Sequence, residues 1–131
     1  MILASASRSP ATSICARAFI SGKNAVPFTK GFATRHQLLE HFYHHGAEFG
    51  ASTPDEYESM ADAFVGGPLP AGVHECVRKS NGDILRFDPN TQAFGVLSKT
   101  GFIRTYFRPV PGLLGHGYRT NLMYWQEECK K

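Results

Sequence analysis

A chain of 131 residues with 14 Lys and Arg against 11 Asp and Glu has room for one hydrophobic core but not for two. Its hydrophobic share of 42% is that of a globular protein, and the absence of any run of about 18 apolar residues predicts no membrane span. The net charge of +3 is compatible with a polyanionic partner without demanding one.

The charge is unevenly spread. Residues 1–39 carry no Asp or Glu, residues 51–75 carry five acids and no Lys or Arg, and residues 76–131 carry nine Lys or Arg against four acids. The C-terminal part therefore offers a basic surface. Cys15, Cys76 and Cys129 form no CxxC pair and no zinc-ribbon spacing. They are expected to be unpaired thiols of a protein working in a reducing compartment.

Residues 1–33 are rich in Ser, Ala, Gly and basic side chains and read as an arm or linker, with "ICARAFI" able to form a short helix. Their composition equally suits an organellar transit peptide or the tail end of a longer parent chain. The domain proper is expected over 34–131. Thr34 with Gln37 forms a capping box that starts a helix carrying Leu38, Leu39 and Phe42, which Gly46 or Gly50 ends. Thr53, Pro54 and Glu56 start a second. Its Tyr57, Met60, Ala61, Phe64 and Val65 form one core-facing stripe.

From His74 the hydrophobic period changes to two. "HECVRK", "DILRFD", "QAFGVL" and "FIRTYF" are strand candidates, with Asn81-Gly82 as a type I′ hairpin signal. Two helices followed by a run of strands predict an α+β fold, helices covering one face of an antiparallel sheet of about four strands. "NLMYWQEECKK" closes the chain as a short strand or helix.

Three of the six histidines fall in "HFYHHGAEFG", residues 41–50. His41 and His45 are four apart and share a helix face. That spacing can hold zinc, yet "FYH" between them lacks the glutamate of HExxH, and no second cluster offers further ligands. Polar or packed histidines on an amphipathic helix are an ordinary alternative. The third is general acid–base catalysis, for which imidazole is suited because it titrates near neutrality. A phosphodiester substrate would also need cations or donors. "GFIRTYFRP" brings Arg104, Thr105, Tyr106 and Arg108 close in sequence, and "ILRFD" adds Arg86. In a regular strand Arg104 and Tyr106 point one way and Thr105 the other, so all three share a site only at a bulge or the sheet's rim.

The ordered set "HFxxHGxxFG", "EYExxA", "RFDPxTxxFGV" and "GxIRTYFxP", spread over residues 36–109, resembles the C-terminal toxin domains of bacterial polymorphic and contact-dependent inhibition proteins. These belong to the BECR ribonucleases, with EndoU, colicin D and RelE-like members. The resemblance implies helices on a twisted antiparallel sheet and a metal-independent endoribonuclease with no cofactor. Such an enzyme cuts tRNA by transesterification to a 2′,3′-cyclic phosphate. It implies His45 as the acid–base residue with His41 as second candidate, Arg104, Thr105 and Tyr106 on the active-site strand, and Arg86 as a phosphate contact; Arg108, just beyond that strand, is a further candidate for binding substrate. It also implies a domain that is monomeric when free, delivered within a larger secreted or cell-surface protein, acting in a target cell's cytoplasm and neutralised by a cognate immunity protein. Two other classes remain: a non-catalytic RNA-binding module of the same fold, and a structural domain with satisfied core histidines.

Overall fold

The computed structural model describes residues 26–131. The predicted helix over "ICARAFI" and Cys15 lie outside the described residues. The fold is α+β. Helices α1 (Arg35–His45) and α2 (Pro54–Gly66) precede strands β1 (His74–Val77), β2 (Ile84–Phe87), β3 (Phe94–Leu97) and β4 (Ile103–Phe107), and helix α3 (Asn121–Lys130) follows them. The four strands form one antiparallel sheet in sequence order.

Both predicted helix starts are present. Thr34 accepts from the Gln37 N–H and Thr53 from the Glu56 N–H, each at 3.1 Å, which satisfies donors that the first helical turn leaves free. The stripe on α2 puts Tyr57, Ala61 and Val65 in the core and Met60 and Phe64 at its margin. The helix lies so close to the sheet that a Cβ on Gly95 would stand 2.5 Å from Val65, which only glycine avoids.

The helices do not all cover one face. With alternation along β2 and β3, Leu85, Phe87, Phe94 and Val96 form a second cluster, covered by Leu122, Tyr124 and Trp125 of α3. The C-terminal segment is thus a helix on the sheet's other side, started by Thr120, which accepts from the Met123 N–H at 3.1 Å.

That placement also corrects the expectation of unpaired thiols. Cys76 on β1 and Cys129 on α3 form a disulfide across a sequence separation of 53. Spacing rules read neighbours in the chain and have no view of a contact made by packing a terminal helix against an edge strand.

The first hairpin differs from its predicted form. Asn81 is not among the positive-φ residues, so the loop Lys79–Gly82 is no type I′ turn, which needs φ > 0 at both centres. It is closed instead by Arg78 N–H to Asp83 O and Gly82 N–H to Arg78 O, both 2.8 Å. The Asn81 side chain accepts from the Asp83 N–H at 2.9 Å, an Asx turn that competes with the left-handed conformation at Asn81.

Residues before the expected boundary at 33 also touch the fold. Phe32 is a core residue, bridged in parallel to Ile103, and Asp62 of α2 accepts from the N–H groups of Phe28 and Thr29 at 3.0 and 2.8 Å. Among the described residues no helix is long and apolar enough to cross a membrane.

Candidate functional site

The end of α1 and the helical turn Gly46–Phe49 dock against the end of β4. The dock is aromatic: Phe49 stacks on Tyr106 with centroids 4.0 Å apart, and the Arg108 guanidinium lies 4.9 Å from the centre of the Phe49 ring. It places His45, the last residue of α1, 5.1 Å from Phe107, ring centre to ring centre.

His45 is held by Glu48. Its Nδ1 lies 2.9 Å from one Glu48 carboxylate oxygen, while the other accepts the Arg108 backbone N–H at 2.7 Å. The Arg108 guanidinium also donates to the Glu48 carbonyl. An ionised carboxylate can only accept, so the proton of a neutral His45 resides on Nδ1 and its Nε2 keeps a lone pair. The His45 side chain is 27% exposed. An imidazole fixed at one nitrogen by a carboxylate, with the other nitrogen unassigned, can take and return a proton.

His41 lies one turn earlier, its ring 6.1 Å from His45 and 5.0 Å from Phe32. Its Nδ1 is buried without a hydrogen-bond partner. Burial first, then the charge on His45, pushes its pKa below the usual histidine value, and Glu40 opposes them. His41 is therefore a neutral neighbour of His45 at neutral pH. His44 is exposed.

The "RTYF" strand does not present three side chains to this cluster. Val96 faces Thr105 while Leu97 faces Ile103, so Arg104 is the extra residue of a β-bulge. Arg104 pairs through Nε with the buried Asp83 at 2.9 Å. Asp83 also receives Arg78 at 3.3 Å and Asn81 at 3.1 Å, and Arg78 reaches the carbonyl and carboxylate of Glu128. Arg104 thus joins a network tying the β1–β2 hairpin to α3, at the end of β4 away from Phe107. Thr105, half-buried, is paired with Val96 and so lies on the α3 side. Tyr106 is buried in the core under α2, and its phenol is pushed well above the usual tyrosine range by burial. It neither reaches solvent nor ionises at neutral pH.

Arg86 is not placed to contact a phosphate either. It is buried on the α2 side, its Nε on Glu75 at 2.7 Å and its Nη1 on the carbonyls of Phe64 and Gly67 at 3.0 and 2.8 Å. These carbonyls are at the C-terminal end of α2, where unpaired acceptors need donors. Its hydrogen bonds are thus all to groups within the fold. Of the residues singled out from the sequence, His41, His45 and Arg108 come together.

Glu48 is not among the residues that the sequence reading singles out, although it stands inside "HFYHHGAEFG", three residues after His45, a spacing at which helical side chains meet. His116 is an ordinary structural histidine. Its Nδ1 accepts the Tyr118 N–H at 3.1 Å, so its Nε2 carries the proton given to Asn121 at 2.8 Å. Among the described residues no group of three or more His, Cys, Asp or Glu side chains is arranged to hold a metal ion. No protein-family profile matches the chain, and no curated protein matches it significantly.

Proposed function

We propose that the chain is a metal-independent endoribonuclease with His45 as its acid–base residue and tRNA as its substrate. The observation that carries this reading is the His45–Glu48 pair, beside the cation of Arg108. It supports the reading of His45 that the sequence resemblance implies. In the reaction His45 Nε2 takes the proton of a ribose 2′-OH, and the 2′-oxygen attacks the adjacent phosphorus. The bond from phosphorus to the 5′-oxygen breaks, leaving a 2′,3′-cyclic phosphate. The leaving oxygen takes up a proton, from the imidazolium or from water, as the 5′-hydroxyl. Arg108 offsets negative charge gathering on the phosphoryl oxygens. Arg104 stays with Asp83 in this scheme, and Thr105 and Tyr106 support the strand without touching substrate.

On the same reading the domain is the toxic part of a larger delivered protein, monomeric when free and held inactive in the producing cell by an immunity protein. An acidic face on that partner would suit the basic C-terminal part of this chain.

The test incubates the purified chain with total tRNA in EDTA, with His45→Ala beside it, and resolves the products on a denaturing gel. Discrete fragments with cyclic-phosphate ends from the parent alone support the assignment. Intact tRNA in both lanes refutes the nuclease and leaves a binding module of the same shape.

A further inference from the structure

After β4 the chain runs through "RPVPGLLGHGYRT", residues 108–120, to α3. This segment holds the most exposed apolar side chains among the described residues: Leu113 at 99% and Leu114 at 97%, with Val110 at 56%. Single exposed leucines are common on proteins and need no explanation. Here three of the eight large exposed apolar residues lie within five positions of one loop.

The loop is built to keep them there. Gly112 donates to the Tyr118 carbonyl at 2.8 Å, and the N–H groups of His116 and Gly117 reach Val110 O and Gly112 O, both at 2.9 Å. Gly112 and Gly117 take positive φ, which makes these turns. The base is fastened by Asn121, whose amide donates to Pro109 O at 2.9 Å and whose carbonyl receives His116.

The stretch of chain that carries the tip bears charge of one sign, although Glu48 of the turn after α1 lies against Arg108. No Asp or Glu occurs between Asp88 and Glu127, whereas exposed Arg108 and Arg119 flank the loop on its two sides. Two leucines on a projecting loop make too small an apolar patch for a stable protein interface, which needs roughly 800 Å² from each partner. They suit the acyl region of a bilayer, with Arg119 at the level of anionic headgroups.

We infer that the loop 109–118 is a membrane-docking tip that inserts Leu113 and Leu114 into an anionic lipid surface while Arg119 engages its headgroups. The docking does not depend on ribonuclease activity.

The test is co-sedimentation of the full chain with vesicles of phosphatidylglycerol and phosphatidylcholine, and with vesicles of phosphatidylcholine alone. It compares the parent with a variant carrying Leu113→Ser and Leu114→Ser. Both side chains are solvated, so the variant should fold; an unchanged thermal midpoint verifies this. It also keeps every charge, so adsorption through any other basic part of the chain appears equally in both proteins. The expected result is salt-sensitive pelleting of the parent with the anionic vesicles and partition of the variant reduced about tenfold or more. Equal pelleting of parent and variant, or a parent that stays in the supernatant with anionic vesicles, overturns the inference. The second outcome would leave a protein partner as the occupant to seek.

Discussion

The imidazole of His45 and the carboxylate of Glu48 meet at 2.9 Å, three residues apart, where a helix gives way to a tighter turn. The same carboxylate is anchored by the Arg108 backbone N–H at 2.7 Å, so the pair is fixed to the sheet as well as to the helix end. A proton-transfer group gains from such anchoring because its orientation is set before substrate arrives.

Replacing His45 by Ala should lower single-turnover tRNA cleavage by about 10²–10⁴-fold, the usual contribution of a positioned acid–base group. Glu48→Gln keeps the side chain's shape but not its charge, and should cost less, roughly tenfold, with tRNA affinity little changed. Cleavage rates and filter binding in EDTA separate the two effects. A Glu48→Gln protein that cleaves at the parental rate would show the pairing to be incidental.

Arg86→Lys should reveal a structural residue. Lysine cannot reproduce the fork that reaches Glu75 and two carbonyls at the end of α2. The loss of buried, charge-assisted hydrogen bonds should lower stability by about 2–4 kcal/mol, read as a lower urea midpoint. RNA affinity of the folded protein should stay as it was. Unchanged stability with weakened RNA binding would restore Arg86 to the substrate.

Cutting the covalent link between β1 and α3 should be costly as well. In the chain-entropy account a loop closed across a separation of 53 restrains the unfolded chain by about 4 kcal/mol, and about 2–4 kcal/mol is typical of such links. Equilibrium unfolding with and without reductant, and of Cys76→Ser with Cys129→Ser, measures it. Identical midpoints would mean that α3 is held by packing alone.

What the sequence disclosed follows from the range of each signal. Capping at Thr34 and Thr53 and the stripe on α2 are local, so they were legible. So was the alternation of four strands, because successive antiparallel strands pair with their neighbours in the chain. The fate of Arg86, Arg104 and Tyr106 is set by non-local partners: the end of α2, the buried Asp83, and the ring of Phe49. The bulge at Arg104 breaks the alternation from which side-chain direction was argued. Of the candidate site, the histidine pair was visible and its carboxylate was within the same ten residues. The Arg108 contact that fixes that carboxylate spans 60 positions and was not visible.

His41 should make stability depend on pH in a predictable direction. Burial, and then the charge of His45, hold its pKa below the 6.5 of an ordinary histidine, which it would have in the unfolded chain. In the interval between the two values the unfolded state binds a proton that the folded state does not. The contribution is therefore complete above about pH 6.5 and is lost as the pH falls toward the folded value. A single proton sets a ceiling of about 1.4 kcal/mol per pH unit, and partial solvation of the ring keeps the slope below it. Urea midpoints of the parent should fall on acidification through this interval. His41→Phe keeps an aromatic ring against Phe32 and has no proton to bind, so its midpoint should fall less steeply over the same range. Parallel curves for the two proteins would place the acid sensitivity in other groups and leave His41 without the predicted role.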